Sequence, residues 1–432
     1  MKSTKRPFKD AHNYLITASS LEGPWSEPVY LNSSGFDPSL FHDEDGRKWL
    51  LNALWDYRIT EGNKSSGIVI QEYDPGQRRL VGKPHKLFDC TWLKKTEAPH
   101  IYKRGGYYYL ITAEGGTGAG HAVTVARSKE LLGPYEVDPL NPMLTSRERP
   151  ELALQCAGHG SLVQTPAGEW YMAHLCTRPV EGQYAILGRE TALQQVYWDD
   201  AGWLRLTGGG SAPRTEVPAP QGVKVPERTE RHIFEDAFDG ERLNKTWNTL
   251  RILADESWCS QRERRISADP RRGVSAKPVP PAYGGDPANR RPFSRRNRVR
   301  ICAGKLFANG RLMLYLNEDN YLYAYATHEE GQGKVLRMMR CAADEFALLP
   351  VLVPVPDESV QLSVEAEGTN ARFYYRAGAG EEDWQPLHGA TDIGFLSGGF
   401  TGNFIGIAVH DMQQFQGIHA DFSHFRYEGR DE

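Results

Sequence analysis

A hairpin unit that returns about every sixty residues constrains this chain more than any other feature. Its first clear copy is Gly35-Phe36-Asp37-Pro38-Ser39-Leu40-Phe41, a turn at Asp45-Gly46, and Trp49-Leu50-Leu51. The second is Glu97-Ala98-Pro99-His100-Ile101-Tyr102, a turn at Gly105-Gly106, and Tyr107-Tyr108-Tyr109-Leu110. The third is His159-Gly160-Ser161-Leu162-Val163, a turn at Gly168, and Trp170-Tyr171-Met172. Each reads as a strand, a polar glycine turn and an aromatic strand. Leu21-Glu22-Gly23-Pro24-Trp25 and Leu132-Gly133-Pro134-Tyr135 also occupy equivalent places after strands. Helical periodicity is nearly absent, whereas alternation such as Val123-Thr124-Val125-Ala126 is common. Repeated hairpins of this kind predict the blades of a β-propeller, whose innermost strands converge on a central channel. A carboxylate from one blade and another from the next would then face each other near the axis.

At 432 residues the chain is long enough for two domains, each with its own core. A formal net charge of −4 is small for that size and points to neither nucleic acid nor an anionic membrane as a partner. The 10 Trp, 20 Tyr and 16 Phe suit strands and β cores, and a few of them suit stacking against sugar rings. Behind the charged start Met1-Lys2-Ser3-Thr4-Lys5-Arg6 there is no apolar run of the kind a signal peptide carries. No segment reaches the apolar length of a membrane span. The cysteines Cys90, Cys156, Cys176, Cys259, Cys302 and Cys341 lack metal-ligand spacing and read as reduced thiols, which suggests a cytoplasmic protein.

The repeats place an all-β propeller domain over residues 1–207. A linker rich in Gly, Pro and charge follows over 208–231, with Pro213, Pro218, Pro220 and Pro226. Residues 232–432 read as a second β domain. There Leu312–Leu316 and Tyr321–Tyr325 flank the polar turn Asn317-Glu318-Asp319-Asn320, and Val360–Val364 and Ala371–Tyr375 flank Glu367-Gly368-Thr369-Asn370. Ala420–Tyr427 reads as a last strand with imperfect alternation. Short strands at this spacing predict a sandwich. Residues 261–300 break the pattern: crowded with Arg and Pro, they read as a disordered insertion or as residues out of frame that replace sandwich strands.

Across nearly the whole chain, in order, these motifs resemble glycoside hydrolase family 43, in its β-xylosidase branch with a C-terminal β-sandwich. The resemblance rests on Gly35-Phe36-Asp37-Pro38-Ser39, Glu97-Ala98-Pro99-His100, Glu114-Gly115-Gly116-Thr117, Gly158-His159-Gly160-Ser161, Leu187-Gly188-Arg189-Glu190-Thr191 and Gly398-Gly399-Phe400-Thr401-Gly402. It implies a five-bladed propeller followed by a concanavalin-like sandwich. It also implies inverting hydrolysis of terminal β-1,4-xylosidic bonds in xylo-oligosaccharides, with α-L-arabinofuranosides as side substrates. No cofactor is implied as a requirement, and a structural Ca²⁺ and oligomerisation are left open. By the same resemblance Glu97 is the general acid. Asp37 is the carboxylate that orients Glu97 and raises its pKa, since a like charge nearby disfavours ionisation. Arg189 would hold sugar hydroxyls, His159 would lie beneath the sugar, Trp55 would wall the non-reducing-end subsite, and Phe400 would come from the sandwich to cover a second sugar.

Each position also has a plainer reading. Asp37 before Pro38 suits a turn cap, and Glu97 suits a surface charge. His159 suits a core histidine or a cation ligand. Arg189 suits an ion pair with Glu190, and Trp55 and Phe400 suit packed core. The resemblance further implies a first blade bearing a Pro-Asp-Pro aspartate as general base. Asp10 does not match it and Asp37-Pro38 is already assigned, so the base and about a blade and a half are expected to be missing. An inverting hydrolase needs both carboxyls, roughly 6.5–9.5 Å apart. The competing expectations are therefore a carbohydrate-binding protein without catalysis and a propeller scaffold for protein partners.

Overall fold

The computed structural model describes residues 11–224, 231–241, 243–250, 254, 259–262, 265–268, 296–299, 310–356, 359–378, 383–398, 400–409 and 420–430. Every regular element among them is a strand, as the alternating sequence predicts. The chain divides into two compact units, one of Met1–Thr177 with Glu190–Val225 and one of Arg178–Arg189 with Pro226–Glu432.

In the first unit β1 (Asn13–Leu15) and β2 (Val29–Asn32) form a two-stranded antiparallel sheet. Three antiparallel blades follow. The first runs β3 (Gly35–His42), β4 (Lys48–Trp55), β5 (Ser65–Asp74), β6 (Arg79–Phe88). The second runs β7 (Glu97–Arg104), β8 (Tyr107–Glu114), β9 (Ala122–Ser128), β10 (Glu136–Val137), with β11 (Leu144–Thr145) also on β9. The third runs β12 (Gln155–Gln164), β13 (Trp170–Thr177), β14 (Glu190–Trp198), β15 (Leu204–Leu206). The three sequence hairpins are thus β3–β4, β7–β8 and β12–β13.

Apolar faces pack from blade to blade. Phe41, Leu51, Ile68 and Ile70 meet Ile101 and Leu110 of the next blade, and Ile111, Val123 and Val125 meet Ala157, Met172 and Val196 of the one after. Residues Trp49 to Ala53 of β4 are all buried, since this strand lies between β3 and β5 with both faces covered. Gly23 and Gly133, the two turn glycines read as equivalent, both lie at left-handed φ (+87° and +85°) with Trp25 and Tyr135 beneath them.

The second unit continues with β16 (Arg231–Asp236), β17 (Cys259–Arg262), β18 (Arg265–Ala268) and β19 (Arg296–Val299). Then come β20 (Gly310–Asn317), β21 (Asn320–Glu329), β22 (Gly333–Ala342), β23 (Glu345–Leu348) and β24 (Val353–Pro354). They are followed by β25 (Val360–Glu367), β26 (Asn370–Ala377), β27 (Gln385–Pro386) and β28 (Thr391–Asp392). The last are β29 (Phe404–Val409), β30 (Ala420–Phe422) and β31 (Phe425–Arg430). One sheet has the order β16-β31-β19-β25-β26-β27 and another β23-β22-β21-β20-β29, with a smaller β17-β18-β30 sheet. Alternate residues supply the shared core: Leu312 and Leu314, Leu322 and Ala324, Leu336 and Met338 from one sheet, and Val360, Leu362, Val364, Ala371 and Phe373 from the other. Period-two burial of this kind is what packs two sheets face to face.

Two expectations need correction here. Ala420–Tyr427 is not one strand: β30 pairs with β18 and β31 with β16 and β19, so the chain changes sheet at Ser423-His424. The buried pair Phe422 and Phe425, three residues apart, marks that break in the alternation. The Arg-rich stretch is not wholly an insertion either. Its Gln261–Arg262, Arg265–Ala268 and Arg296–Val299 backbones are paired in sandwich sheets, and β19 lies between β31 and β25. Residues 269–295, like Asp10, Gly399 and Cys302, lie outside the described residues.

Candidate active site

The innermost strands β3, β7 and β12 share one irregularity. Pairing slips between Phe36 and Ser39, between Glu97 and His100, and between Gly158 and Ser161. At each slip a residue with a side chain adopts φ of +52°: Asp37, Ala98 and His159. A β-bulge inserts an extra residue and re-aims the side chains around it. A left-handed non-glycine residue costs of order 1 kcal/mol or more, and such strain collects at functional sites. The same kink in the innermost strand of three successive blades is the local structure on which the candidate site is built. The kink also sets the register between blades: Ala98 is the counterpart of Asp37, and Glu97 stands one residue before the kink. Pro38 and Pro99, each directly after the kinked residue, carry that offset in the sequence.

Glu97 is buried at 8 % exposure, which removes the surface-charge reading. The residue before it is held twice. Thr96 accepts a hydrogen bond on its carbonyl from Ser65 Oγ (2.7 Å) on β5 and donates from Oγ1 to Glu114 (2.9 Å). Ser39, two residues after Asp37, donates to the carbonyl of Pro99, two residues after Glu97. That bond ties the two carboxylate-bearing segments at matched heights. Asp37 is half-buried, and Trp55, also half-buried, stands edge-on to Phe36 with ring centroids 6.1 Å apart.

His159 lies between glycines because side chains there would collide. A Cβ on Gly158 would stand 2.5 Å from the buried His121 ring, and one on Gly160 would stand 2.7 Å from Met172 Sδ. Burial, with His159 nearby, holds the His100 imidazole below its ordinary pKa. His100 therefore favours the neutral form beside this group, a role the sequence motif contained but did not assign.

Arg189 and Phe400 come together in the second unit, with the guanidinium carbon 4.3 Å from the ring centroid, a cation–π geometry. The pair is set by a backbone crossing: a Cβ on Gly188 would lie 2.1 Å from Gly402 N, and one on Gly402 would lie 2.2 Å from the Leu187 carbonyl oxygen. Asn403 N donates to Ile186 O at 3.1 Å, and Thr369 Oγ1 donates to Glu181 at 3.0 Å. Phe400 is 52 % exposed, so it is not packed core. Among the described residues no group of three or more His, Cys, Asp or Glu side chains is arranged to hold a metal ion.

Comparison with known proteins supplies the rest. The profile of glycosyl hydrolases family 43 matches residues 2–204, and that of the β-xylosidase C-terminal concanavalin A-like domain matches residues 310–428. The chain is 39 % identical to the β-xylosidase of Bacillus subtilis (strain 168), over 97 % of this chain and 81 % of that protein. It is 37 % identical to xylosidase/arabinosidase 43B of Humicola insolens, over 97 % and 80 %. The crystal structure of a xylan β-1,4-xylosidase from Bacillus halodurans C-125 superposes with a TM-score of 0.87 at 41 % identity, covering 99 % of this chain and 82 % of the other. With propeller blades, a concanavalin-like sandwich and identity of this extent, the chain belongs to glycosyl hydrolase family 43.

Proposed function

We propose that the chain hydrolyses terminal β-1,4-xylosidic bonds of xylo-oligosaccharides with inversion, and takes α-L-arabinofuranosides as side substrates. The observation that carries this reading is the repeated kink in three successive innermost strands, which falls at Asp37, at Ala98 directly after Glu97, and at His159. Relatives named β-xylosidase and xylosidase/arabinosidase support the substrate class. In this reading Glu97 protonates the leaving oxygen and Asp37 keeps it oriented and protonated, since two neighbouring carboxylates resist ionising together. Within the first unit Trp55 forms an apolar wall and His159 supports the sugar from below, and the second unit offers the Arg189 guanidinium and the Phe400 ring face for sugar hydroxyls and stacking. Inversion also requires a carboxylate that activates water, and that role is assigned to none of these residues. The buried thiols Cys176, Cys259 and Cys341 suit a reducing, cytoplasmic setting within the same proposal.

The deciding experiment is xylobiose turnover by the full chain, with the anomer of the first xylose released followed by NMR and binding followed by calorimetry. Release of α-xylose supports the proposal. Binding without turnover would replace it with a carbohydrate-binding role.

A further inference from the structure

Glu114, at the end of β8, is fully buried, yet the chemistry above does not use it. Its carboxylate is held by neutral donors. Thr91 N lies 2.9 and 3.1 Å from its two oxygens, Thr96 Oγ1 donates at 2.9 Å, and the Thr91 and Thr124 hydroxyls donate as well. Burial pushes its pKa up, against the pull of these hydrogen bonds. Next to it, Gly115 N donates to Lys94 O at 2.8 Å.

These partners bracket a single loop, Thr91 to Thr96, that ends on Glu97. The loop is strained: Lys94 and Lys95 are consecutive side-chain-bearing residues at φ of +61° and +57°. Such a conformation persists only where its surroundings over-determine it. A carboxylate accepts about four hydrogen bonds and so grips both loop ends at once, which an amide or hydroxyl does less fully.

We infer that Glu114 is a positioning residue, a buried clamp that locks the Thr91–Thr96 loop and thereby fixes the aim of Glu97. The kinetic half of this inference rests on the proposed acid role of Glu97, whereas the clamp itself does not.

The test has two arms on the full chain. Hydrogen exchange of the segment 90–97 is compared between wild type, Glu114→Gln and Thr96→Val. The clamp predicts exchange at least about tenfold faster in that segment in both variants, with β9 unchanged. Exchange unchanged in either variant overturns it, and Thr96→Val decides should Glu114→Gln fail to fold. The second arm measures kcat and KM on aryl β-xylosides with good and poor leaving groups. Thr96→Val lowers kcat on the poor leaving group about tenfold more than on the good one, with KM little changed. An equal loss on both, or a loss confined to KM, overturns the positioning role. A wild-type chain that turns over neither xyloside defeats the proposed function, and the exchange arm then judges the clamp alone.

Discussion

His174 on β13 makes the acid limb of this protein's stability calculable. The side chain is buried at 1 % exposure. Its Nδ1 donates to the Leu175 carbonyl oxygen at 3.0 Å, and its Nε2 faces the Gln194 amide nitrogen at 3.5 Å. Gln194 is fixed in turn, donating to Arg214 O at 2.9 Å and accepting from Arg214 N at 3.0 Å. A second proton on His174 would put a charge in a dry site and set an N–H against an amide N–H. Burial accordingly lowers its pKa from 6.5 to about 4. Between those values the unfolded chain binds the proton and the folded chain refuses it, so stability falls as pH drops through the window and is fully present above 6.5. At roughly 1.36 kcal/mol per pH unit, the loss approaches about 3 kcal/mol by pH 4. The check is urea unfolding of wild type and His174→Gln at several pH values, with exchange of the β13 amides reporting the first unit. The stability difference between the two proteins should change by about 3 kcal/mol from pH 7 to pH 4. The comparison cancels other groups, including His100, whose depressed pKa acts in the same direction. Parallel curves, within about 0.5 kcal/mol, would refute the reasoning.

Other perturbations follow from the same geometry. Gly188→Ala places a Cβ at 2.1 Å from Gly402 N at a φ of +72°, backbone against backbone, and should cost the second unit about 2 kcal/mol or more in denaturant unfolding. Gly158→Ala drives a Cβ to 2.5 Å from the His121 ring, with an expected loss of about 1–3 kcal/mol in the same assay and reduced turnover through the displaced His159. Ser39→Ala removes the bond to Pro99 O; about 1 kcal/mol of stability should go with it, and kcat should fall more than KM rises. Phe400→Ala removes a half-exposed ring under Arg189, so melting should barely move while KM for xylobiose rises several-fold, up to about tenfold.

Much of the fold was legible because hairpins write themselves locally. Asp45-Gly46, Gly105-Gly106 and Gly168 mark turns, and the alternation of Leu312, Leu314 and Leu322, Ala324 marks the face that packs against the second sheet. The three hairpins β3–β4, β7–β8 and β12–β13 followed from that pattern. The bulge register did not, because an extra residue shifts pairing without changing composition, and only the Pro38 and Pro99 positions betray it. The break at Ser423-His424 was visible as faulty alternation yet not as a change of sheet, since sheet membership depends on distant partners. The grouping of Arg178–Arg189 with the second unit depends on Gly188 meeting Gly402, a contact more than two hundred residues apart in sequence. Glu114 opens the motif Glu114-Gly115-Gly116-Thr117, but a buried carboxylate served by threonines looks like any strand-end glutamate until the Thr91–Thr96 loop is folded over it.

The proposed hydrolysis turns on Glu97 delivering a proton to the departing sugar oxygen. The direct measurement is kcat of wild type and Glu97→Gln on xylobiose and on a dinitrophenyl β-xyloside, whose leaving group needs no proton. General-acid loss predicts a drop of about 10²–10⁴-fold on xylobiose and a far smaller one on the aryl substrate. Equal drops on both substrates, or an undiminished rate on xylobiose, would contradict the assignment.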